Sequence, residues 1–123
     1  MRGFLFRGKR VDNGEWIEGD LLQYLSSSKV HIVQNYLGAG GKEVIPETVG
    51  ACTYLTDKKG KRIFEGDIVK RGFELYIVRW NEEQFKYDFY TANGSIQSGF
   101  NIFAKYYTEV IGNIHDNPDL LKG

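Results

Sequence analysis

One cysteine, two prolines and no net charge mark the chain, and each shortage closes off a class of protein. With Cys52 alone, no disulfide can form within the chain, and a Cys-based zinc cage lacks its ligands. A reducing compartment is the expectation. Sixteen basic residues balance sixteen acidic ones, which removes the usual footprint of a protein that grips nucleic acid through phosphates. No window nears the roughly 20 apolar residues that span a bilayer. The opening Met1-Arg2-Gly3-Phe4-Leu5-Phe6-Arg7 meets Arg7, Lys9 and Arg10 before any apolar run of signal-peptide length. The sequence reads as soluble and cytoplasmic.

What is present is a folded composition. Apolar residues make 41% and aromatics 15% of the 123 residues, against 26% charged, so disorder is excluded outside the ends. A single domain over 1–123 with one core fits this length. Fifteen glycines separate short apolar runs, the punctuation of strands and turns. The fold class that follows is mainly β: a small barrel-like or SH3-like antiparallel domain with short helical turns.

Strands are expected at 4–10 and 15–17 around an Asn13-Gly14 hairpin, then at 21–25 and 30–36. Residues 43–45 can pair briefly before Pro46, whose ring suits the start of a helical turn through Val49. A second hairpin at Asp57-Lys58-Lys59-Gly60 joins strands at 52–56 and 61–64. Strands at 67–71, 74–80 and 85–91 follow. In the last of these Phe85, Tyr87 and Phe89 share one face, with Lys86 and Asp88 on the other. Asn93-Gly94 is a further turn, and 109–114 a final strand. Phe100, Phe103, Ala104 and Tyr107 have helical spacing, so a short helix competes with a strand there. A last helical turn falls near Asn117-Pro118.

An internal duplication stands out. Residues 14–22 and 60–69 share a hairpin glycine, an apolar lead-in and Glu-Gly-Asp before a strand. A glycine there suits a kink, and the following Asp can accept backbone N–H groups. Both copies are therefore expected to open strands at comparable bends. The chemical alternative is that Glu18, Asp20, Glu65 and Asp67 converge as paired carboxylates for general acid–base work or a metal.

Other candidates are less specific. Gly38-Ala39-Gly40-Gly41-Lys42 lacks the Ser/Thr of a phosphate loop, so a hairpin tip is preferred. His31, His115 and Cys52 are distant in sequence, and Cys52 in an apolar strand suits an inert thiol. Tyr76, Trp80, Tyr87, Tyr90, Tyr106 and Tyr107 either line a core or present rings to bases, sugars or a protein.

Three stretches bear a family likeness. Pro46-Glu47-Thr48-Val49-Gly50, Leu55-Thr56-Asp57-Lys58-Lys59-Gly60-Lys61 and Ile63-Phe64-Glu65-Gly66-Asp67-Ile68-Val69 form a central signature. The segment from Glu109 to Leu121 forms a C-terminal one. With Thr53 and the opening Phe6-Arg7, these resemble the YopX family of phage and prophage proteins. Ala51, Cys52 and Tyr54 depart from the family pattern, where Gln, an aromatic and Gly are expected. The resemblance implies an origin in a phage, prophage or related mobile element, and brings no catalytic residues.

A non-enzymatic binding or regulatory module, engaging a protein partner, is thus preferred over catalysis. The alternative is a carboxylate- or metal-dependent hydrolase built on the duplicated motif. No cofactor or metal is expected. Strong duplex nucleic-acid binding is not expected either, because Arg7, Lys9 and Arg10, and Lys58, Lys59, Lys61 and Arg62, each lie near acidic residues. No membrane association is expected, and self-association is left open.

Overall fold

Hairpin glycines set the turns. Gly14, Gly60 and Gly94 take φ of 73°, 82° and 92°, the left-handed region where a Cβ would strain the backbone. Each falls in a turn read from the sequence. The computed structural model describes residues 5–34 and 41–122. Phe4, Tyr36 and Gly38-Ala39-Gly40 of the readings above lie outside them.

Two compact units make up the chain, residues 1–52 and 53–123. In the first, β1 (Phe6–Lys9), β2 (Trp16–Gln23), β3 (Val30–Val33) and β4 (Lys42–Val44) run antiparallel in the order β4-β3-β2-β1. A 3-10 turn at Pro46–Thr48 leads to β5 (Gly50–Thr56), which pairs with β1 through Phe6–Ala51 and Arg7–Gly50. An isolated Arg10–Val44 bridge joins β4 to the chain just after β1. Ile17, Val30, Ile32 and Val44 form the buried cluster, with Phe6, Leu21 and Val49 packed against it. Gly8 permits this closeness: a Cβ there would lie 2.9 Å from Val44 Cβ.

The second unit takes the end of β5, paired with β6 (Arg62–Phe64), and a five-stranded antiparallel sheet. That sheet comprises β7 (Asp67–Arg71), β8 (Glu74–Asn81), β9 (Lys86–Tyr90), β10 (Ile96–Gln97) and β11 (Glu109–Asn113), ordered β10-β9-β8-β7-β11. Helix α1 (Phe100–Tyr107) connects β10 to β11 and buries Phe100 and Ala104. They join Ile63, Val69, Tyr76, Val78 and Phe89 in the unit's core. Two positions of the helical spacing are thereby buried, which decides helix over strand for this stretch.

The fold is mainly β, as expected, in two antiparallel sheets. Among the described residues neither closes into a barrel. Two further expectations are corrected. Residues 15–17 and 21–25 are not separate strands but parts of one continuous β2, so Glu18-Gly19-Asp20 lies mid-strand and opens nothing. Gly19 is absent from the positive-φ glycines. It serves close approach, since a Cβ there would stand 2.5 Å from the Val33 carbonyl oxygen. Phe85 falls outside β9, in a turn at φ 53°. Asp88 is buried despite its polar-face position, because Asn81 Nδ2 donates to its Oδ2 at 3.0 Å and Lys86 Nζ stands 3.6 Å from its Oδ1.

Candidate functional site in the second unit

The duplicated carboxylates do separate things. Glu18 lies opposite Arg7 and Asp20 opposite Val33 on β2 of the first unit. In the second, Gly66 holds φ 91° between β6 and β7, donating to Val78 O at 2.8 Å and accepting from Ile114 N at 3.0 Å. Asp67, only 1% exposed, accepts the Phe64 N–H at 2.8 Å. That buried carboxylate closes a turn. Among the described residues no three His, Cys, Asp or Glu side chains are grouped to hold a metal ion, and no geometry here supports the hydrolase reading.

Asp57, which the sequence placed in a hairpin and nothing more, is a second buried junction. Its Oδ1 accepts from Lys59 N and Lys61 N at 2.9 Å, and its Oδ2 from Val110 N at 2.9 Å. Burial pushes its pKa up, but the backbone donors outweigh that and hold it below the ordinary carboxylate value. The hairpin tip is thereby pinned to β11, supported by Lys59 Nζ 3.0 Å from Glu109 Oε1. Cys52 is buried in β5, with its N–H on Leu5 O at 2.8 Å. His31 sits on β3 of the first unit and His115 beyond β11 of the second.

The aromatic candidates divide. Tyr76 is in the core at 1% exposure, its hydroxyl donating to Glu74, whose carboxylate raises the phenol pKa. Tyr90 is half-buried opposite Ile77. Trp80 and Tyr87 are brought together, cross-strand neighbours with ring centroids 5.0 Å apart, edge to face. Tyr87 in turn lies 6.3 Å from the Phe100 ring. Tyr106 is 67% exposed on the outer side of α1, beside Ile102 and Tyr107, both also exposed.

Beside Tyr87 a groove of about 530 Å³ opens between β9 and the start of α1, lined by residues 86–88 and 98–103. Its shape follows from Gly99. The φ of 100° turns the chain into α1, and a Cβ would meet the Phe103 ring at 2.7 Å. Gly99 O accepts the Ile102 and Phe103 N–H groups at 3.0 and 2.9 Å. Phe103 then lines the groove and stacks under Arg71, whose guanidinium carbon lies 4.7 Å from its ring centroid and 5.7 Å from those of Tyr76 and Phe89. Arg71 Nη1 is buried with no hydrogen-bond partner.

Next to the groove, Phe85 is 76% exposed at its positive φ. Such an aromatic gains little from burial and strains its backbone. Phe85, Phe103 and Arg71 were not among the residues singled out from sequence. The helical spacing of α1 was the one signal for Phe103; nothing local marked Arg71 as the cation of an aromatic box.

Comparison with known proteins gives a fold and a family. No curated protein matches. A crystal structure of protein EF1440 from Enterococcus faecalis is similar at 21% identity and a TM-score of 0.55, with 98% of this chain and 99% of that one covered. At that identity the likeness concerns the fold alone. The family model described as YopX protein matches residues 5–122, nearly the whole chain, and the chain belongs to the YopX family.

Proposed function

We propose that the chain is a non-enzymatic binding or regulatory module of phage or prophage life, engaging a protein partner through the β9–α1 face of its second unit. The observation that carries this reading is Phe85, an aromatic exposed at positive φ beside an aromatic-walled groove. Stability alone favours Gly or Asn at such a position. Trp80, Tyr87, Phe103 and Tyr106 supply neighbouring rings of the types enriched at interface hot spots. The basic clusters offer less to a duplex, since Arg10 is paired with Asp12 at 2.6 Å and Lys59 with Glu109 at 3.0 Å. Duplex affinity at physiological salt is expected to be no tighter than about 10 μM.

Panning a random peptide library against the protein tests the proposal. Selected peptides should bind Phe85→Gly and Tyr106→Ser about tenfold or more weakly than wild type, while the melting temperature of Phe85→Gly does not fall. Unchanged affinity in both variants would contradict it.

A further inference from the structure

We infer that this face selects an acidic peptide, with a carboxylate of the partner held by Arg71 and Lys105 against the rings of Phe103 and Tyr106. The inference rests on the face being a protein-binding surface, and it names the partner's chemistry.

Charge complementarity carries it. Helix α1, Phe-Asn-Ile-Phe-Ala-Lys-Tyr-Tyr, contains no acidic residue and one basic one. The charged groups around it are otherwise engaged. Lys86 faces Asp88 at 3.6 Å, and Glu109, which follows the helix, pairs with Lys59 at 3.0 Å. Glu74, directly across the hairpin from Arg71, accepts the Tyr76 hydroxyl. Arg71 and Lys105 remain, each against aromatic rings, with Lys105 Nζ 5.6 Å from the Tyr106 centroid. Among the described residues neither forms an ion pair.

The two cations differ in weight. An exposed lysine alone contributes little to recognition. Arg71 is half-buried, its planar fork is held by three ring contacts, and one of its nitrogens has an unmet donor. A carboxylate bound by such a preorganised guanidinium gains a charge-assisted, directional hydrogen bond. Phosphate would satisfy the same fork. The exposed Ile102, Tyr106 and Tyr107 alongside, and a chain of zero net charge, favour an amphipathic peptide over a nucleic-acid backbone.

Fluorescence anisotropy with three labelled probes decides between these: a peptide repeating Glu-Leu-Tyr, its Gln-Leu-Tyr counterpart, and oligo(dT). The Glu peptide should bind about tenfold tighter than the Gln peptide, and this preference should shrink as salt rises. Arg71→Gln should abolish the preference and Lys105→Gln should lower it about two- to threefold. Should Arg71→Gln fail to fold, Arg71→Lys, which keeps the charge and loses the fork, must still diminish it. Equal binding of both peptides overturns the inference while leaving the binding face intact. Failure of the Glu peptide to bind, tighter binding of oligo(dT), or a preference that survives the Arg71 variants also overturns it. Loss of binding by library-selected neutral peptides on Phe85→Gly reports separately on the face itself.

Discussion

The same three residues, Glu-Gly-Asp, occur once in each unit and do opposite work. In β2 the glycine is extended and tolerates the Val33 carbonyl, which a Cβ would approach to 2.5 Å. Between β6 and β7 the glycine is at φ 91° and turns the chain. Asp20 is exposed, whereas Asp67 is buried on a backbone N–H. A short motif therefore specifies what the backbone is permitted to do, and the surrounding strands decide which permission is used.

Asparagine separates the two permissions, because it tolerates positive φ and still carries a Cβ. At Gly66, valine is expected to cost about 3 kcal/mol, alanine less, and asparagine least. At Gly19, alanine should cost about 2 kcal/mol and asparagine at least as much, since any Cβ meets the Val33 carbonyl. Urea midpoints read the order. An asparagine advantage at both positions, or at neither, would erase the difference between the copies.

The carboxylates give the next effect. Asp67→Ala should lose about 2 kcal/mol by leaving the buried Phe64 N–H unpaired, and Asp20→Ala should stay within about 0.5 kcal/mol. Asp67→Asn should be milder than Gly66→Val, because an amide oxygen can still accept from Phe64 N. The reverse order would assign Asp67 a charge role instead of a backbone one.

Acid should act through the second unit's other buried carboxylate. The folded pKa of Asp57 is depressed, so its contribution is complete above the ordinary value of 3.8 and is lost as pH falls below that value through the folded one. Asp57→Asn should flatten this limb of the stability curve in pH-dependent urea melts. An unchanged limb would mean that acid enters elsewhere.

How much of this was legible varies by element. Turns built on Asn13-Gly14, Asp57-Lys58-Lys59-Gly60 and Asn93-Gly94 were readable because their chemistry is local. Helix α1 was half-readable: its spacing was visible, and the burial of Phe100 and Ala104 that decides for helix was not. Phe85 misled, since its period-2 match with Tyr87 and Phe89 says nothing of φ. Asp88 misled because its partner, Asn81, comes from the neighbouring strand. The groove was not legible, as it depends on Gly99 returning the chain beside β9.

Tyr54 gives the smallest expected effect. Where the family resemblance implies glycine, this chain places Tyr54 at φ 64° within β5. Tyr54→Gly should stabilise by about 0.5–1 kcal/mol through relief of left-handed strain. Phe85→Gly should raise stability similarly while weakening partner binding, the signature of strain retained for function. A stability loss at Phe85 would make that ring structural.

The most direct test of the binding face is an NMR titration of the labelled protein with a library-selected peptide. Amide shifts are expected to concentrate at residues 85–88 and 98–107 and at Arg71, and to leave Glu18-Gly19-Asp20 and Glu65-Gly66-Asp67 unmoved. Shifts centred on the two Glu-Gly-Asp copies, with the β9–α1 face silent, would contradict the account.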